Sequence, residues 1–311
     1  DVGVLVKPGH LEAIGRDGFI LRTGDIARPA GPTLRAAADV GSLPGPPDLV
    51  VVAVKSCDTA NALRGVSSKI PAGTVILCLQ NGIGNEAKVQ AALPENPVAA
   101  GAICISAEAL RVGDILWPDD RGGMAVAPYC GDENRIRGVV APLLATTGLE
   151  CAWEEGEGAA ARVKWSKLML NVGFNALNSV TGLSSARLLA DREYGKFAVL
   201  ALREAFLVMR RSGIQALDLP GYPVRALGSI VRAPLGLVRK ALAWQAARST
   251  ESAFSMRQDV LKGRASTEID ELNGVIVRRG REIGVDTPAN ERLCALIKKH
   301  AAAGWPSGGI I

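Results

Sequence analysis

Histidine is nearly absent from this 311-residue sequence: only His10 and His300 are present, far apart in the chain. A histidine-rich metal site is therefore excluded, no metal site is expected, and proton chemistry falls to lysine or a carboxylate. Cysteine forms no framework. Cys57, Cys78, Cys104, Cys130, Cys151 and Cys294 sit mostly in apolar runs with no C-x-x-C pair, and they read as reduced core thiols of a cytoplasmic protein. Nor is there a membrane-length apolar run: the charge-free segment between Lys69 and Glu86 holds Pro71, Gln80, Asn81 and three glycines. Charge of either sign is in small excess only, 36 basic against 31 acidic residues for a net +5. That balance suits an anionic small ligand and falls short of a duplex-binding domain, so neither nucleic acid nor membrane is an expected partner.

What is present is a globular composition, 48% hydrophobic and 22% charged, long enough for two domains with their own cores. The first residue is Asp1 rather than Met, and residues 2–6 (VGVLV) already read as a buried strand, so a piece of a longer protein is expected. Up to about residue 158, short apolar runs alternate with Gly- and Pro-bearing turns and helical stretches, an α/β rhythm. The strongest strands are expected at 49–54, 75–79, 98–105 and 124–127, the first two parallel and buried on both faces, the later ones as antiparallel additions. From residue 159 to 311 the periodicity is helical, at 159–180, 185–212, 249–262, 267–283 and 289–303. GEGAA at 156–160 is the expected joint. Pro220, Pro223 and Pro234 mark an irregular connection carrying Arg225, Arg232, Arg239 and Lys240, which reads as a solvated basic face.

Such a pairing of halves suggests a dinucleotide-binding domain and a substrate domain, whose phosphate-binding glycines should come first. Two segments match G-x-G-x-x-G/A, GIGNEA at 82–87 and GEGAAA at 156–161, but both lie too late in the chain for the first strand-to-helix turn. Residues 2–6 fit better as the second strand of the unit, with the first βα element lying before Asp1. Lys7 then ends that strand, where a cation favours the 2′-phosphate of NADP over the free ribose of NAD; a surface lysine in a turn is the other reading.

The richest pattern lies at 164–182. Lys167, Asn171 and Asn175 are spaced i, i+4, i+8 on an otherwise apolar helix, with Asn178 near the same line. Buried amides and ammonium groups need polar company, which is either a hydrogen-bonded protein network or a ligand with carboxylate, hydroxyl or keto oxygens. A lysine can bond a carbonyl oxygen and protonate it as negative charge builds. Lys55 and Asn81-Gly82 end neighbouring strands at the carboxyl edge, where open α/β sheets bind ligands; strand exit and tight turn are the plain alternatives. Ser255 and Glu268 flank a helix-to-helix turn, and each alone reads as a surface or helix-end residue.

Together these motifs resemble the ketopantoate reductase (2-dehydropantoate 2-reductase) family. The resemblance rests on VAVKS at 52–56, LQNGIGNE at 79–86, KWSKLMLNVGFNAL at 164–177, SMRQDVLKGRASTEIDELNG at 255–274 and GVDTPANERL at 284–293. It implies an α/β Rossmann-like N-terminal domain (1–158), here without its first βα unit, and an all-α C-terminal domain (159–311). It also implies an NADP-dependent oxidoreductase of pantothenate biosynthesis that reduces a small 2-keto acid. Lys167 would be the general acid, Asn171, Asn175 and Ser255 would hold substrate, Asn81 would touch substrate and cofactor, and Lys55 and Glu268 would flank the nicotinamide. Lys7 falls where relatives often carry a basic residue. A further substrate contact falls near Ser185 and is not assigned. The departure is the missing G-x-G-x-x-G turn. A reductase of another keto acid, and a non-catalytic binding protein that has lost its phosphate loop, are the alternatives. A homodimer through an apolar face of the helical domain is one expectation for assembly.

Overall fold

The computed structural model describes residues 1–31, 33–117, 122–246, 256 and 267–303. Eleven strands and the helices form an N-terminal α/β region followed by a helical region. In order these are β1 (Val2–Leu5), α1 (Pro8–Asp17), β2 (Ile20–Thr23), β3 (Ile26–Pro29), β4 (Leu34–Ala37), β5 (Leu49–Val52), α2 (Thr59–Arg64), β6 (Val75–Cys78), α3 (Asn85–Ala92), β7 (Val98–Ile103), β8 (Glu108–Arg111), β9 (Asp114–Leu116), β10 (Gly123–Cys130), α4 (Glu133–Ala145) and β11 (Glu150–Trp153). The helical region holds α5 (Ala159–Val172), α6 (Asn175–Thr181), α7 (Ser185–Ala190), α8 (Arg192–Arg211), α9 (Val224–Ile230) and α10 (Leu235–Ala246), then helices Asn273–Glu282 and Pro288–Ala303.

The main sheet has the order β11-β10-β7-β6-β5. As expected, β5 and β6 are parallel, with Leu49 opposite Val75. The strand at 98–105 departs from the expectation: β7 runs parallel to β6, and only β10 is antiparallel, against β7. Helix α3 supplies the crossover that brings β7 back parallel, whereas a return directly from β7 would be antiparallel. β6 and β7 are buried on both faces, where side chains alternate with period 2, but β5, expected to be buried on both faces too, is an edge strand with Val51 exposed. Val75, Leu77, Met124 and Val126 meet Ile136, Val140 and Leu144 of α4. On the other face, Ile76 and Cys78 pack with Leu63, Val89 and Leu93, and Ala100, Ala102, Ala125 and Ala127 lie in one core with Ala159, Ala160 and Val163 of α5. Alanines on both sides let α5 lie close against β7 and β10.

β1 pairs in parallel with β4 in a separate two-stranded sheet. No described strand joins it to the β5 edge, which is the Rossmann-like arrangement without its first βα unit. The unpaired edges keep apolar residues in solvent, Val2 and Leu5 on β1 and Val51 on β5. A second sheet of order β3-β2-β9-β8 was not read from the sequence. Its strands are four residues or fewer, and Arg22 grips the buried carboxylate of Asp114 from Nε and Nη2 at 2.7 and 2.9 Å, so the element has little apolar signature.

Three long helices of the sequence reading are broken where local chemistry offers a stop. The stretch 159–180 divides into α5 and α6 at Gly173-Phe174. The stretch 185–212 divides at Asp191, whose extended backbone and carboxylate cap α8 by accepting from Glu193 N and Tyr194 N, both at 2.9 Å. The stretch 267–283 begins as a 3-10 turn, Glu268–Asp270, before the helix Asn273–Glu282. The expected helix at 249–262 lies outside the described residues apart from buried Met256. No described helix is long and apolar enough to cross a membrane.

Candidate active site

Helix α5 is apolar nearly all round because it is enclosed on most sides: ten of its fourteen residues are buried. It packs on β7 and β10, and Lys164 reaches from it to the backbone just after β6. Lys164 Nζ donates to Gln80 O at 2.5 Å and Gly101 O at 3.4 Å, and stands 3.1 Å from Glu86 Oε1. One turn on, Lys167 is half-buried and makes no hydrogen bond or ion pair with any described residue. Its desolvation pushes the ammonium pKa below the usual lysine range, and the neighbouring Lys164 charge acts in the same direction while Cys104 opposes it. An ammonium held this way transfers its proton more readily near neutral pH than a solvated one.

Asn171 donates from Nδ2 to Asn81 Oδ1 at 3.4 Å, joining the stripe to the turn after β6. Asn175 follows the break as the first residue of α6. It is buried and its Oδ1 has no hydrogen-bond partner. A buried amide oxygen left unpaired costs about 1–3 kcal/mol, so this atom is set for a donor that the described residues do not supply. Asn178 leaves the stripe and donates to Leu183 O in the loop after α6. Ser185 Oγ, at the start of α7, is also buried and unpaired.

A clasp ties the sheet edge to the turn Glu268–Asp270. The buried Glu268 carboxylate accepts from Ser56 N at 3.1 Å and faces Lys55 Nζ at 3.5 Å. Ser56 Oγ donates to Asn81 O at 2.8 Å, and Asn85 Nδ2 donates to both Ser56 Oγ and Asn81 O at 2.9 Å. Glu268 is thus joined to Lys55 rather than serving only a helix end. The turn Asn81-Gly82 is where backbones come closest: Gly82 has φ +84°, and a Cβ there would lie 2.7 Å from Glu271 O. Ile83 N completes the contact by donating to that carbonyl at 3.1 Å.

Both late glycine segments are filled by protein groups. The turn at 82–87 is filled by Glu271, and Glu86 brings a carboxylate to the start of α3. In the other, Arg162 occupies the carbonyls of Glu157 and Glu155 at 2.7 and 2.9 Å. Lys7 is exposed at the carboxyl end of β1, before Pro8 opens α1. Ser255 lies outside the described residues. Contacts therefore gather Asn81, Lys55, Glu268 and Asn171 at one edge, and Lys167 and Asn175 continue the row of Asn171 on α5 and α6. Lys164, Glu86, Ser56 and Asn85 were missed in the sequence. Lys164 could have been found, since it is a second ammonium in the same apolar helix, three residues before Lys167.

Fold and site together define a class: an open α/β sheet whose carboxyl edge meets a helical domain, with a lysine and asparagines lining the junction. Residues 1–129 match the family described as "Ketopantoate reductase PanE/ApbA", and residues 159–301 match "Ketopantoate reductase PanE/ApbA C terminal". The chain belongs to the ketopantoate reductase family. It is 28% identical over 292 residues to a 2-dehydropantoate 2-reductase of Halobacterium salinarum, covering 93% of this chain and 87% of that one. A 2-dehydropantoate 2-reductase of Pyrococcus horikoshii is 26% identical over 308 residues, covering 99% and 92%. Among solved structures, a PanE/ApbA family ketopantoate reductase from Ralstonia eutropha JMP134 superposes with a TM-score of 0.77 at 28% identity, covering 97% of this chain and 91% of that one. A D-mandelate dehydrogenase, solved with NADH and anilino(oxo)acetate, shares the fold with a TM-score of 0.76 at 21% identity, covering 97% and 91%.

Proposed function

We propose that this protein reduces 2-dehydropantoate (ketopantoate) to pantoate with NADPH, a step toward pantothenate and coenzyme A in the cytoplasm. The observation that carries the reading is Lys167: a half-buried ammonium of lowered pKa that has no hydrogen-bond or ion-pair partner among the described residues, on the same polar stripe as Asn175 Oδ1, which has none among them either.

The residues fit the nicotinamide end of such a cofactor better than its pyrophosphate end. Lys55 and Glu268 form a charged pair at the carboxyl edge, beside the Asn81 turn, and Lys7 offers a cation to a 2′-phosphate. The described residues supply no open glycine cradle for the pyrophosphate. NADPH, when bound, supplies the hydride. Lys167 Nζ donates its proton to the substrate's keto oxygen, replacing a solvent proton with a positioned one, an effect typically worth about 10²–10⁴-fold. The amides of Asn171 and Asn175, with Ser255, hold the substrate's hydroxyl and carboxylate so that the carbonyl is fixed in place. Asn81 links both parts. The Lys164 carbonyl contacts keep α5, and hence Lys167, seated on the sheet edge.

The test is steady-state oxidation of NADPH with ketopantoate. Lys167→Ala is expected to lower kcat by at least about 100-fold while leaving NADPH affinity near wild type; near-normal turnover in that variant rules out the general-acid role. The D-mandelate dehydrogenase complex supports a second reading, a reductase of another 2-keto acid, or one using NADH, on the same scaffold. A panel of keto acids with each nicotinamide cofactor separates the two. No turnover with any of them would favour the non-catalytic reading. A homodimer through the helical domain belongs to the same proposal and is read by sedimentation.

A further inference from the structure

A second cavity lies in the helical region and is lined by none of the residues assigned above. Its volume is about 650 Å³, and its walls come from the second half of α8, the turn at 213–216 and the segment running from α9 to Arg232. Arg203, Arg210, Arg225 and Arg232 all line it, and no aspartate or glutamate does. Two of these guanidinium groups are engaged. Arg203 donates from Nε to Val231 O at 2.5 Å and also to the Ala233 carbonyl, which fixes α8 to the far wall. Arg225 is paired with Asp218, Nε to Oδ2 at 2.8 Å. Arg210 on α8 and Arg232 beyond α9 are exposed, and neither guanidinium group makes a hydrogen bond or ion pair with a described residue.

The cavity is also built to stay open. A Cβ on Gly228 would lie 2.9 Å from Phe206 Cε1, so α9 rests directly on that ring. Gly213, at φ +75°, ends α8 and turns Ile214 and Gln215 back along the lining. Phe206, Met209, Ile214 and Val231 supply apolar surface. Two exposed guanidinium groups with no acidic partner among the described residues line a cavity within the ~300–1,000 Å³ range of small-molecule sites, which suits an anion, and the apolar lining suits a hydrocarbon body.

We propose that this cavity binds a small amphipathic organic anion, its carboxylate or phosphate held between Arg210 and Arg232 and its apolar part against Phe206 and Ile214. Planar guanidinium groups take either head group through paired N–H donors. The basic segment at 225–240 is largely exposed, as the sequence suggested, with Arg225, Arg232 and Lys240 in solvent and Arg239 half-buried. Its charges differ in use: Arg225 pairs with Asp218, Arg239 donates to Leu189 O and Ala190 O at 2.7 and 3.1 Å, and Arg232 is assigned to the ligand.

The experiment is a fluorescence titration of the full chain with 1-anilinonaphthalene-8-sulfonate, an anion with an apolar body. Saturable one-site binding is expected, weakened about ten-fold or more in the Arg210→Gln/Arg232→Gln variant and unchanged in Lys167→Ala. Hexanoate and hexyl phosphate should displace the probe, and whichever acts at lower concentration identifies the preferred head group. Equal binding by wild type and the double arginine variant overturns the proposal, as does equally tight binding of uncharged N-phenyl-1-naphthylamine. Displacement by inorganic phosphate as effective as by hexyl phosphate overturns the apolar half of the assignment. None of these results depends on whether the chain reduces ketopantoate.

Discussion

Replacing Lys164 with methionine tests how α5 is held to the sheet. The side chain keeps its length and apolar stem, so packing is largely preserved and the loss is electrostatic. Lys164 and Glu86 are only 5% and 4% exposed and stand 3.1 Å apart, and Nζ also serves the carbonyls of Gln80 and Gly101. Lys164→Met leaves a buried carboxylate without its counter-ion and removes a donor from two carbonyl oxygens. Breaking a buried pair on one side costs about 3–5 kcal/mol, which for domains of this size lowers Tm by ~6–20 °C. Glu86→Gln should cost less, ~1–3 kcal/mol, because the ammonium keeps its carbonyl partners. In the double variant Lys164→Met/Glu86→Leu both charges are gone, and much of the single-variant loss should return. Thermal and urea unfolding of wild type, both Lys164→Met and Glu86→Leu singles and their double completes the cycle, with a coupling of more than about 1 kcal/mol expected. Strictly additive effects, or a Lys164→Met protein within about 1 kcal/mol of wild type, would refute the reasoning.

The other predictions concern the site. Lys167→Met should stabilise the chain while abolishing turnover. Between the lowered folded pKa and 10.5 the unfolded chain holds the extra proton, so stability rises with pH there and the charged form is the penalised one below it. A gain on the order of 1 kcal/mol, read as a Tm rise of ~2–4 °C at neutral pH, is expected; a lower Tm would contradict it. Asn175→Leu removes the unpaired oxygen and should leave Tm within a few degrees of wild type while raising KM for ketopantoate about ten-fold or more, measured by steady-state kinetics. Gly82→Ala meets both a left-handed φ and the Glu271 carbonyl, so a loss of about 2 kcal/mol or more is expected in urea unfolding.

The sequence carried the sheet because the apolar runs at 49–54 and 75–79 read without alternation; β6 is buried on both faces as that implies, whereas β5 is an edge strand with Val51 and Val54 exposed. It carried the stripe because Lys167, Asn171 and Asn175 interrupt an apolar helix at four-residue spacing. It did not carry the break at Gly173-Phe174, where both flanking segments keep helical periodicity and Gly173 itself holds right-handed helical angles, so the local residues give no stop signal. The Glu268 clasp was beyond reach for a different reason, since its partner Ser56 lies 212 residues away and only the fold brings them together. Likewise, a basic run in the sequence gives no sign of which arginines find acids, and Asp218 takes Arg225 but not Arg232.

The interruption between α5 and α6 falls inside the polar stripe: Lys167 and Asn171 stand on α5, and Asn175 is the first residue of α6. One continuous hydrophobic core holds both helices together with the alanines of β7 and β10. The distance from the ammonium to the last amide is therefore set by packing on both sides of the joint and not by a continuous run of helix, so a cavity-forming substitution in that core, remote from any polar group, should misplace a reacting partner as surely as a change in the row itself.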